Sequence, residues 1–222
     1  MSSVECQLPT FGELTDEQIS AINSNSFVVQ YKKNETILKQ NIPVSHLVYV
    51  KSGLVKVFKE STGGKIHILK ILPSNNFIGL LSVFSGQLNN YSVASIENCE
   101  IVFTNIVTVK NVIKENGSFA LHLMKLISDY GLLIFDKLIN VSQKQIPGRI
   151  AETLIFFSQE IYKNDTFELP LSRQELAELV VTTKENISRT LSEFKNDRLI
   201  DFDGRKIIIK SRDNIEFLSR IG

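Results

Sequence analysis

The 222-residue sequence has little cysteine and no long uninterrupted apolar run. Cys6 and Cys99 are its only cysteines, too few for a disulfide framework or for an iron–sulfur cluster held by cysteines alone. No apolar run approaches the ~18–20 residues needed to span a bilayer, and residues 1–10 lack the basic-then-apolar pattern of a signal peptide. We therefore expect a cytoplasmic protein that has no membrane partner.

The local motifs of common enzyme classes are also missing. There is no glycine-rich phosphate loop after a strand, no nucleophile elbow and no HExxH zinc motif. His46, His67 and His122 do not have the spacing of metal ligands. The hydrophobic content of 43% and the charged content of 22% are those of an ordinary globular protein, so we expect a folded chain. Because the motifs above are missing, we expect that it is not an enzyme and binds no metal.

Arginine is absent from the first 148 residues, and every arginine lies between Arg149 and Arg220. The guanidinium group suits phosphate oxygens and guanine edges, so this distribution favours nucleic-acid binding by the C-terminal third. The alternative is a difference in composition between two domains. Acidic residues are common in the same third, which favours specific docking over binding by a polycationic tail.

The first half of the chain has the pattern of a β-domain. Thr15 and Gln18 have capping-box spacing and predict a short helix before it. Short β-type runs separated by turn residues then follow at about ten-residue spacing, which predicts a β-sandwich or jelly roll. The predicted strands are residues 27–31, 35–40, 46–50, 54–60, 65–72, 91–96 and 100–104.

From Gly117 the apolar period lengthens to that of a long helix. Two stripes of apolar residues lie on different faces of this helix, and a surface helix of one domain needs only one. We therefore expect one face to pack on the β-domain and the other to meet the same helix of a second subunit. The alternative, a helix buried in one core, is disfavoured by its charged residues. We assign the dimer interface to Leu123, Ile127, Tyr130, Ile134 and Leu138; the second stripe is Leu121, Met124, Leu132, Phe135 and Ile139.

Residues 146–148, Ile-Pro-Gly, predict a hinge after this helix, because proline breaks helical hydrogen bonding and restricts the preceding residue. We therefore divide the chain into a β-domain of residues 1–116, a dimerisation helix of residues 117–146 and a C-terminal domain of residues 147–222. A change in dimer packing transmitted through the hinge would reorient the C-terminal domains.

Residues 169–210 predict two short helices and a hairpin. Ser172 with Glu175, and Thr182 with Glu185, have capping-box spacing and mark two helix starts. Residues 203–204, Asp-Gly, are typical of a hairpin turn and predict a two-stranded wing. Helix, turn, helix and wing in this order indicate DNA binding. The alternative is a module that binds another protein.

The second of these helices has a solvent face suited to DNA. Ile187, Leu191 and Phe194 are expected to face the core. On the other face, Arg189 can pair bidentately with guanine, Glu185 can accept a hydrogen bond from cytosine and Ser188 can serve either base edge. The alternative roles are helix capping for Glu185 and an ion pair with Glu185 or Glu193 for Arg189. Phosphate contacts are expected from Arg173, Thr183 and Lys184.

The order of β-roll, long helix, hinge and winged helix-turn-helix resembles the Crp–Fnr superfamily of bacterial transcription regulators over nearly the whole chain. The most diagnostic segment is residues 171–194, LSRQELAELVVTTKENISRTLSEF. In Fnr-like members the recognition helix carries Glu-x-x-Ser-Arg, which Glu185, Ser188 and Arg189 match. Lys184 stands where the receptor-protein branch usually has arginine.

The resemblance implies an α+β chain with an N-terminal double-stranded β-helix (jelly-roll) sensor domain, a dimerisation helix and a C-terminal winged helix-turn-helix. It further implies a homodimer that binds a two-fold symmetric, TTGA-like site on double-stranded DNA. The expected partners are RNA polymerase and a small-molecule effector that binds the sensor domain.

The resemblance also locates a candidate effector pocket. Cyclic-nucleotide-binding members have a Gly-Glu-Leu turn followed by an Arg-Ser pair; here these segments contain Gly79, Leu80 and Leu81, and then Asn90, Tyr91 and Ser92. Residues 71–109 contain no lysine or arginine, and a buried cyclic phosphate without a cation is costly. An amide nest or helix N-terminus is the alternative anion holder. We expect that cyclic AMP is not the ligand and that the effector is more apolar, or absent.

Cofactors are not expected. Cys6 has no neighbouring cysteines, which excludes the iron–sulfur branch of the superfamily, and Cys99 is interpreted as a small buried residue. Some members of the superfamily bind haem through an axial histidine, and the three histidines leave haem as the alternative. We prefer ordinary structural or surface histidines.

Overall fold

The computed structural model describes residues 14–86 and 88–222. The chain forms two compact units, and the boundary between them along the chain lies between Leu132 and Leu133. This boundary lies inside the long helix, and the three-part division made from the sequence stays a prediction.

The first unit begins with helix α1 (Asp16–Ser24), followed by eight strands. As predicted, Thr15 and Gln18 cap α1 reciprocally, through Gln18 N to Thr15 Oγ1 (3.3 Å) and Thr15 N to Gln18 Oε1 (3.2 Å). The strands are β1 (Ser26–Tyr31), β2 (Thr36–Leu38), β3 (His46–Ser52), β4 (Val55–Glu60), β5 (Ile66–Leu72), β6 (Asn76–Ile78), β7 (Ser92–Ser95) and β8 (Cys99–Asn105). Of these, β6 was missing from the sequence prediction.

Two antiparallel four-stranded sheets, β1-β8-β3-β6 and β2-β7-β4-β5, form the β-roll and confirm the predicted jelly-roll fold class. Apolar residues from both sheets fill an inter-sheet core that includes Val48, Val50, Val57, Val93 and Ile101. Cys99 is buried in this core, as predicted, and its Sγ lies 3.4 Å from the Leu54 carbonyl oxygen. Burial raises the pKa of this thiol, which keeps it protonated.

Helices cover the outer face of the β1-β8-β3-β6 sheet and form a second, helix-side core. On β3, Leu47 and Tyr49 belong to this core while Val48 and Val50 face the other sheet. Both faces of this strand are therefore buried, because the helices cover the face that would otherwise meet solvent. The helices are α2 (Leu80–Ser85), α3 (Ile106–Glu115) and α4 (Gly117–Gln143), together with α1.

Helix α4 packs on the roll with the stripe that the sequence analysis assigned to the dimer. Leu123 is only 2% exposed in the helix-side core, and Ile127 and Tyr130 pack against the same core. The dimer assignment of the buried Leu123 was wrong, because periodicity identifies an apolar stripe but not its partner. That of Ile127 and Tyr130, which are half-buried, stays a prediction. Ile134 and Leu138 remain exposed.

Exposed apolar residues also line the other face of α4, with Leu121 at 66% and Phe135 at 63% exposed. By length and mean hydropathy this helix also meets the criterion for crossing a membrane, unlike the expectation from the sequence. One such helix is weak support for a membrane protein, because the apolar stripes of a helix that packs on a domain or on a second copy satisfy the same criterion.

The second unit contains the C-terminal end of α4 and a small α/β domain. Its helices are α5 (Ile146–Phe156), which continues as a π-helix (Phe157–Tyr162), α6 (Arg173–Val180), α7 (Lys184–Asn196) and α8 (Arg212–Ile221). Its strands are β9 (Thr166–Glu168), β10 (Ile200–Asp203) and β11 (Lys206–Ile209), in the order β10-β11-β9. The wing therefore has three strands rather than the two predicted, because β9, which precedes α6, pairs with β11.

The chain turns at Lys144 and Gln145, just before the segment predicted as a hinge. Residues 146–148 form the first turn of α5, with Pro147 near its start. Proline is well suited to this position because the first backbone N–H groups of a helix have no partner within it. Gly148 is required for packing, since a Cβ here would collide with the backbone of Gly222.

Candidate functional site

Helix α6 and the turn after it present α7 to solvent. Ser172 caps α6 in the predicted capping box, with Glu175 N to Ser172 Oγ at 3.2 Å and Ser172 N to Glu175 Oε2 at 2.8 Å. The C-cap of this helix is Val181, whose φ of 58° lies in the left-handed region that β-branched residues rarely adopt. The Arg149 guanidinium donates to the Val181 carbonyl oxygen at 3.3 Å and helps to hold this turn.

The N-cap of α7 differs by one residue from the prediction. Thr183, not Thr182, is the N-cap, and its Oγ1 accepts from the Asn186 backbone N–H at 3.3 Å. Thr183 therefore caps α7 through its hydroxyl group. The phosphate contact predicted for the same residue stays a prediction. Thr182 instead accepts a hydrogen bond from the Asn186 side chain at 3.1 Å.

The two faces of α7 are divided as predicted. Ile187, Leu191 and Phe194 are buried, together with Thr190. Lys184, Glu185, Ser188 and Arg189 are exposed and lie on one side of the first two turns of the helix. The structure therefore brings together on one solvent face the side chains proposed to read bases.

Each of the base-reading candidates makes a local contact within α7. Interactions with its own backbone N–H and the Thr183 side chain lower the pKa of Glu185, so this exposed carboxylate is ionised and acts at the helix N-terminus. Ser188 Oγ donates to the Lys184 carbonyl oxygen at 3.1 Å. Arg189 Nε lies 3.8 Å from Glu193 Oε1, which agrees with one of the two ion pairs considered from the sequence.

Arg173 contacts the wing within the same unit. The Arg173 guanidinium carbon is 5.6 Å from the centre of the Phe202 ring on β10, and partial burial lowers the pKa of this arginine without neutralising it. The two-residue turn of the wing is Gly204-Arg205, one residue later than predicted, with Gly204 at φ 58°. Arg205 is 91% exposed at this tip. Its Nη1 lies 3.9 Å from Glu168 Oε1. The sequence analysis did not select Arg205, although its place next to the hairpin turn was a usable signal.

The residues predicted to line an effector pocket in the first unit lie on and around helix α2 and strand β7. Burial raises the pKa of Tyr91, and interactions with the Ser82 side chain and the Gly79 backbone partly oppose that rise. The Asn90 backbone N–H also donates to Ser82 Oγ, at 3.3 Å. Leu80 is buried in the helix-side core rather than facing a ligand. Gly79, Leu80, Asn90 and Tyr91 therefore lie together around Ser82.

Other residues of the predicted pocket behave differently. Ser92 is buried and accepts a hydrogen bond from the Gln40 backbone N–H at 3.0 Å, so it takes part in strand packing. Leu81 is half-buried beside Leu80. The pocket residues are thus not all directed at one ligand position.

Tyr130 of α4 and Lys70 of β5 form a contact that the sequence analysis did not foresee. The Lys70 ammonium lies 4.7 Å from the centre of the Tyr130 ring, and Tyr130 Oη donates to the Phe77 carbonyl oxygen at 3.0 Å. Burial raises the pKa of Tyr130 to about 12 and lowers that of Lys70. Since Lys70 immediately precedes the cation-free segment, the absence of cations from residues 71–109 was an incomplete argument against an anionic ligand.

The residues that the structure describes contain no group of three or more His, Cys, Asp or Glu side chains that could hold a metal ion. His46, His67 and His122 lie on β3, β5 and α4, respectively. Cys6 lies outside the described residues.

Comparisons with known proteins agree with this architecture. The sequence model of the cyclic nucleotide-binding domain matches residues 28–116, and that of the Crp-like helix-turn-helix domain matches residues 148–217. The chain belongs to the Crp–Fnr family. Like other members of this family, it is a transcription regulator with a helix-turn-helix DNA-binding domain and is not an enzyme.

Among curated members of the Crp–Fnr family, the cAMP-activated global transcriptional regulator CRP of Salmonella typhimurium is 25% identical over 199 residues, covering 88% of this chain and 95% of the relative. A crp/fnr family transcriptional regulator from Eubacterium rectale superimposes with a TM-score of 0.81 at 19% identity, over 96% of this chain and 98% of that chain. FixK2 from Bradyrhizobium japonicum gives a TM-score of 0.79 at 20% identity, over 87% and 96%.

Proposed function

We propose that this Crp–Fnr family regulator binds a two-fold symmetric, TTGA-like operator as a homodimer, and that its sensor domain does not respond to cyclic AMP. The proposal of operator binding is supported mainly by one observation: Glu185, Ser188 and Arg189 are exposed together on the N-terminal half of α7. These are the residue types that reach base edges when a helix N-terminus enters the major groove.

Phosphate contacts are proposed for residues at the edges of this face. Lys184 begins α7, Thr183 caps it, and Arg173 begins α6, so all three lie near helix N-termini that favour anions. Arg205 at the tip of the wing is added to this set because of its exposure. These contacts would position the protein on the duplex without reading its sequence.

A second copy of the chain is proposed as the partner of the exposed face of α4. Leu121, Met124, Phe135, Leu138 and neighbouring side chains leave an apolar stripe along this helix. Residues 121, 124, 128, 131, 135 and 138 alternate by three and four positions, which is the spacing of a two-stranded coiled coil. Ser128 and Gly131 at the middle of the stripe are small, which lets two such helices approach closely.

A palindromic operator requires two copies of α7 about one DNA turn, or ~34 Å, apart, and a symmetric dimer would supply these two copies. Proteins of this family generally act with RNA polymerase, and we propose the same partner for this chain. We also propose that it acts in the cytoplasm. An effector that changes the packing of α4 would change the separation of the two reading helices.

The proposal about cyclic AMP is supported by three features of the sensor domain. Leu80 replaces the glutamate of the nucleotide-binding turn and is buried in the helix-side core. No arginine follows at Asn90 or Tyr91, and the Tyr91 side chain interacts with the Gly79 backbone and with the Ser82 side chain. Lys70 is the cation nearest in sequence to this turn, but it lies against the Tyr130 ring.

Arg189 provides the decisive test of operator reading. The Arg189→Ala variant is expected to lose about 1–3 kcal/mol of discrimination between a TTGA-containing duplex and a scrambled duplex. Fluorescence anisotropy across a salt series measures both affinities, and sedimentation verifies that the variant remains a dimer. Full discrimination by this variant would show that α7 does not read the operator through Arg189.

A further inference from the structure

Asn186 lies one turn before Arg189 on α7 and forms hydrogen bonds in two directions. Its Oδ1 accepts from Arg189 Nη2 at 3.0 Å, and its Nδ2 donates to Thr182 Oγ1 at 3.1 Å. The side chain therefore connects the guanidinium group of the base-reading arginine to the turn between α6 and α7. Asn186 is half-buried, at the border between the core face and the solvent face of α7.

The orientation of the Asn186 amide is determined by these two partners. The guanidinium group has donors and no acceptor, so it must face the amide oxygen. The amide nitrogen is then directed at Thr182, whose hydroxyl can accept. Only this one of the two amide orientations satisfies both contacts.

Thr182 is a firm attachment point for this connection. Its backbone N–H donates to the Ala177 carbonyl oxygen at 2.9 Å, and the preceding Val181 carbonyl accepts from Arg149 at 3.3 Å. The connection thus leads from the backbone of the turn, through Thr182 and Asn186, to Arg189. By comparison, the contact of Arg189 Nε with Glu193 is longer, at 3.8 Å, and both partners are exposed, so it restrains the arginine less.

We propose that Asn186 is a positioning residue that directs the Arg189 side chain toward the guanine of the operator before DNA binds. A long exposed arginine loses rotamer freedom when it docks, and a side chain already held in the docking direction loses less. Asn186 does not itself read a base in this role. The inference rests on the proposed function of Arg189 as the guanine-reading residue.

The first test measures the affinity of the full-length Asn186→Ala variant for the TTGA duplex and for a duplex in which guanine is replaced by adenine. The ratio of the two affinities is expected to fall about three- to tenfold, as loss of one such hydrogen bond implies. Affinity for the substituted duplex and the salt dependence should stay the same, since no phosphate contact is lost. An unchanged ratio would overturn the proposal.

Asn214→Ala is the matched control. Its Nδ2 donates to Ser211 Oγ at 2.9 Å on the exposed start of α8, so the variant removes the same kind of amide-to-hydroxyl contact from another helix of the same domain. Discrimination should be the same as in the wild type. If Asn186→Ala acts only through stability, it lowers the melting temperature and weakens binding to both duplexes equally, and the positioning role is then wrong.

Thr182→Val tests the connection through a second residue. Valine keeps the shape of threonine but removes the hydroxyl, so the Asn186 amide becomes free to rotate. A smaller loss of discrimination than that of Asn186→Ala is expected, and Thr182→Ser should restore the wild-type ratio. Equal ratios for Thr182→Val and the wild type would contradict the connection.

A double variant separates this inference from the proposed function. In an Arg189→Ala background, Asn186→Ala should cause no further loss of guanine discrimination, because its effect passes through the arginine. An additional loss would mean that Asn186 acts independently. If Arg189→Ala keeps discrimination, the proposed function fails; if it abolishes discrimination while Asn186→Ala has no effect, only the positioning role fails.

Discussion

Lys144 and Glu152 form an ion pair of 3.0 Å that joins the turn after α4 to helix α5. Glu152 also accepts a hydrogen bond from Asn140 Nδ2 at 3.0 Å, so one carboxylate connects α5 to both the end of α4 and the turn. The turn at Lys144 and Gln145, just before the segment predicted as a hinge, is therefore braced. Movement at this point requires these contacts to break.

Loss of the Glu152 carboxylate should loosen this connection. Glu152→Ala is expected to lower the free energy of unfolding by about 1–2 kcal/mol, since it leaves the largely buried Lys144 ammonium without its partner. Urea denaturation measures the change. Glu100→Ala removes the more exposed Lys51–Glu100 pair and should cost less than about 0.5 kcal/mol. If both variants lower the free energy of unfolding by the same amount, Glu152 does not stabilise this turn more than a surface ion pair would.

Lys137 should make stability depend on pH. Burial lowers its pKa to about 8, partly offset by Glu152, whereas the unfolded chain has the ordinary lysine value of 10.5. The folded state therefore releases the proton first, and stability rises as pH increases from about 8 to 10.5. Below pH 8 the full cost of holding the charged form is present.

Lys137→Met should remove this part of the pH dependence. The free energy of unfolding of both proteins is measured by denaturation between about pH 6 and pH 10.5, a range that includes the lowered and the ordinary pKa of lysine. The difference between the two proteins is then plotted against pH. The variant is expected to be more stable than the wild type near neutrality, and the advantage should shrink as pH rises. A difference that does not change with pH would contradict the lowered pKa.

Phe135 tests the proposed dimer face of α4. Phe135→Asp places a charge in the exposed apolar stripe and should raise the dimer dissociation constant by at least about a hundredfold, the effect of a few kcal/mol at an interface hot spot. Val107→Asp introduces the same charge at an exposed apolar residue of α3 and serves as the control. Analytical ultracentrifugation distinguishes the two. A fully dimeric Phe135→Asp protein would place the interface elsewhere.

The sensor domain should not be stabilised by cyclic AMP. A ligand at a hundred times its dissociation constant would add about 2.7 kcal/mol to stability and raise the melting temperature. Because Leu80 is buried where a nucleotide-binding turn has glutamate, and residues 71–109 contain no lysine or arginine, we expect no shift at millimolar cyclic AMP and no change in operator affinity. A saturable shift would show that Tyr91 and Lys70 rearrange to admit the nucleotide.

Local patterns were enough to predict most of the elements. The Ser172–Glu175 capping box, the division of α7 into a core face and a solvent face, and the antiparallel roll all depend on residues close in sequence or on strand periodicity. The third wing strand was missed, because β9 is only three residues long and is separated from β11 by two helices. The N-cap of α7 was misplaced by one residue, since adjacent threonines offer the same side chain.

The sequence by itself determined the family, the order of the elements and the identity of the residues on the solvent face of α7. Tertiary structure alone decided which apolar stripe of α4 packs on the roll, that Lys70 lies over Tyr130, and that Glu152 braces the turn before α5. The physical reason is that periodicity reports which residues share a face of a helix or strand. What that face contacts depends on pairings between residues far apart in the chain, such as Lys70 and Tyr130.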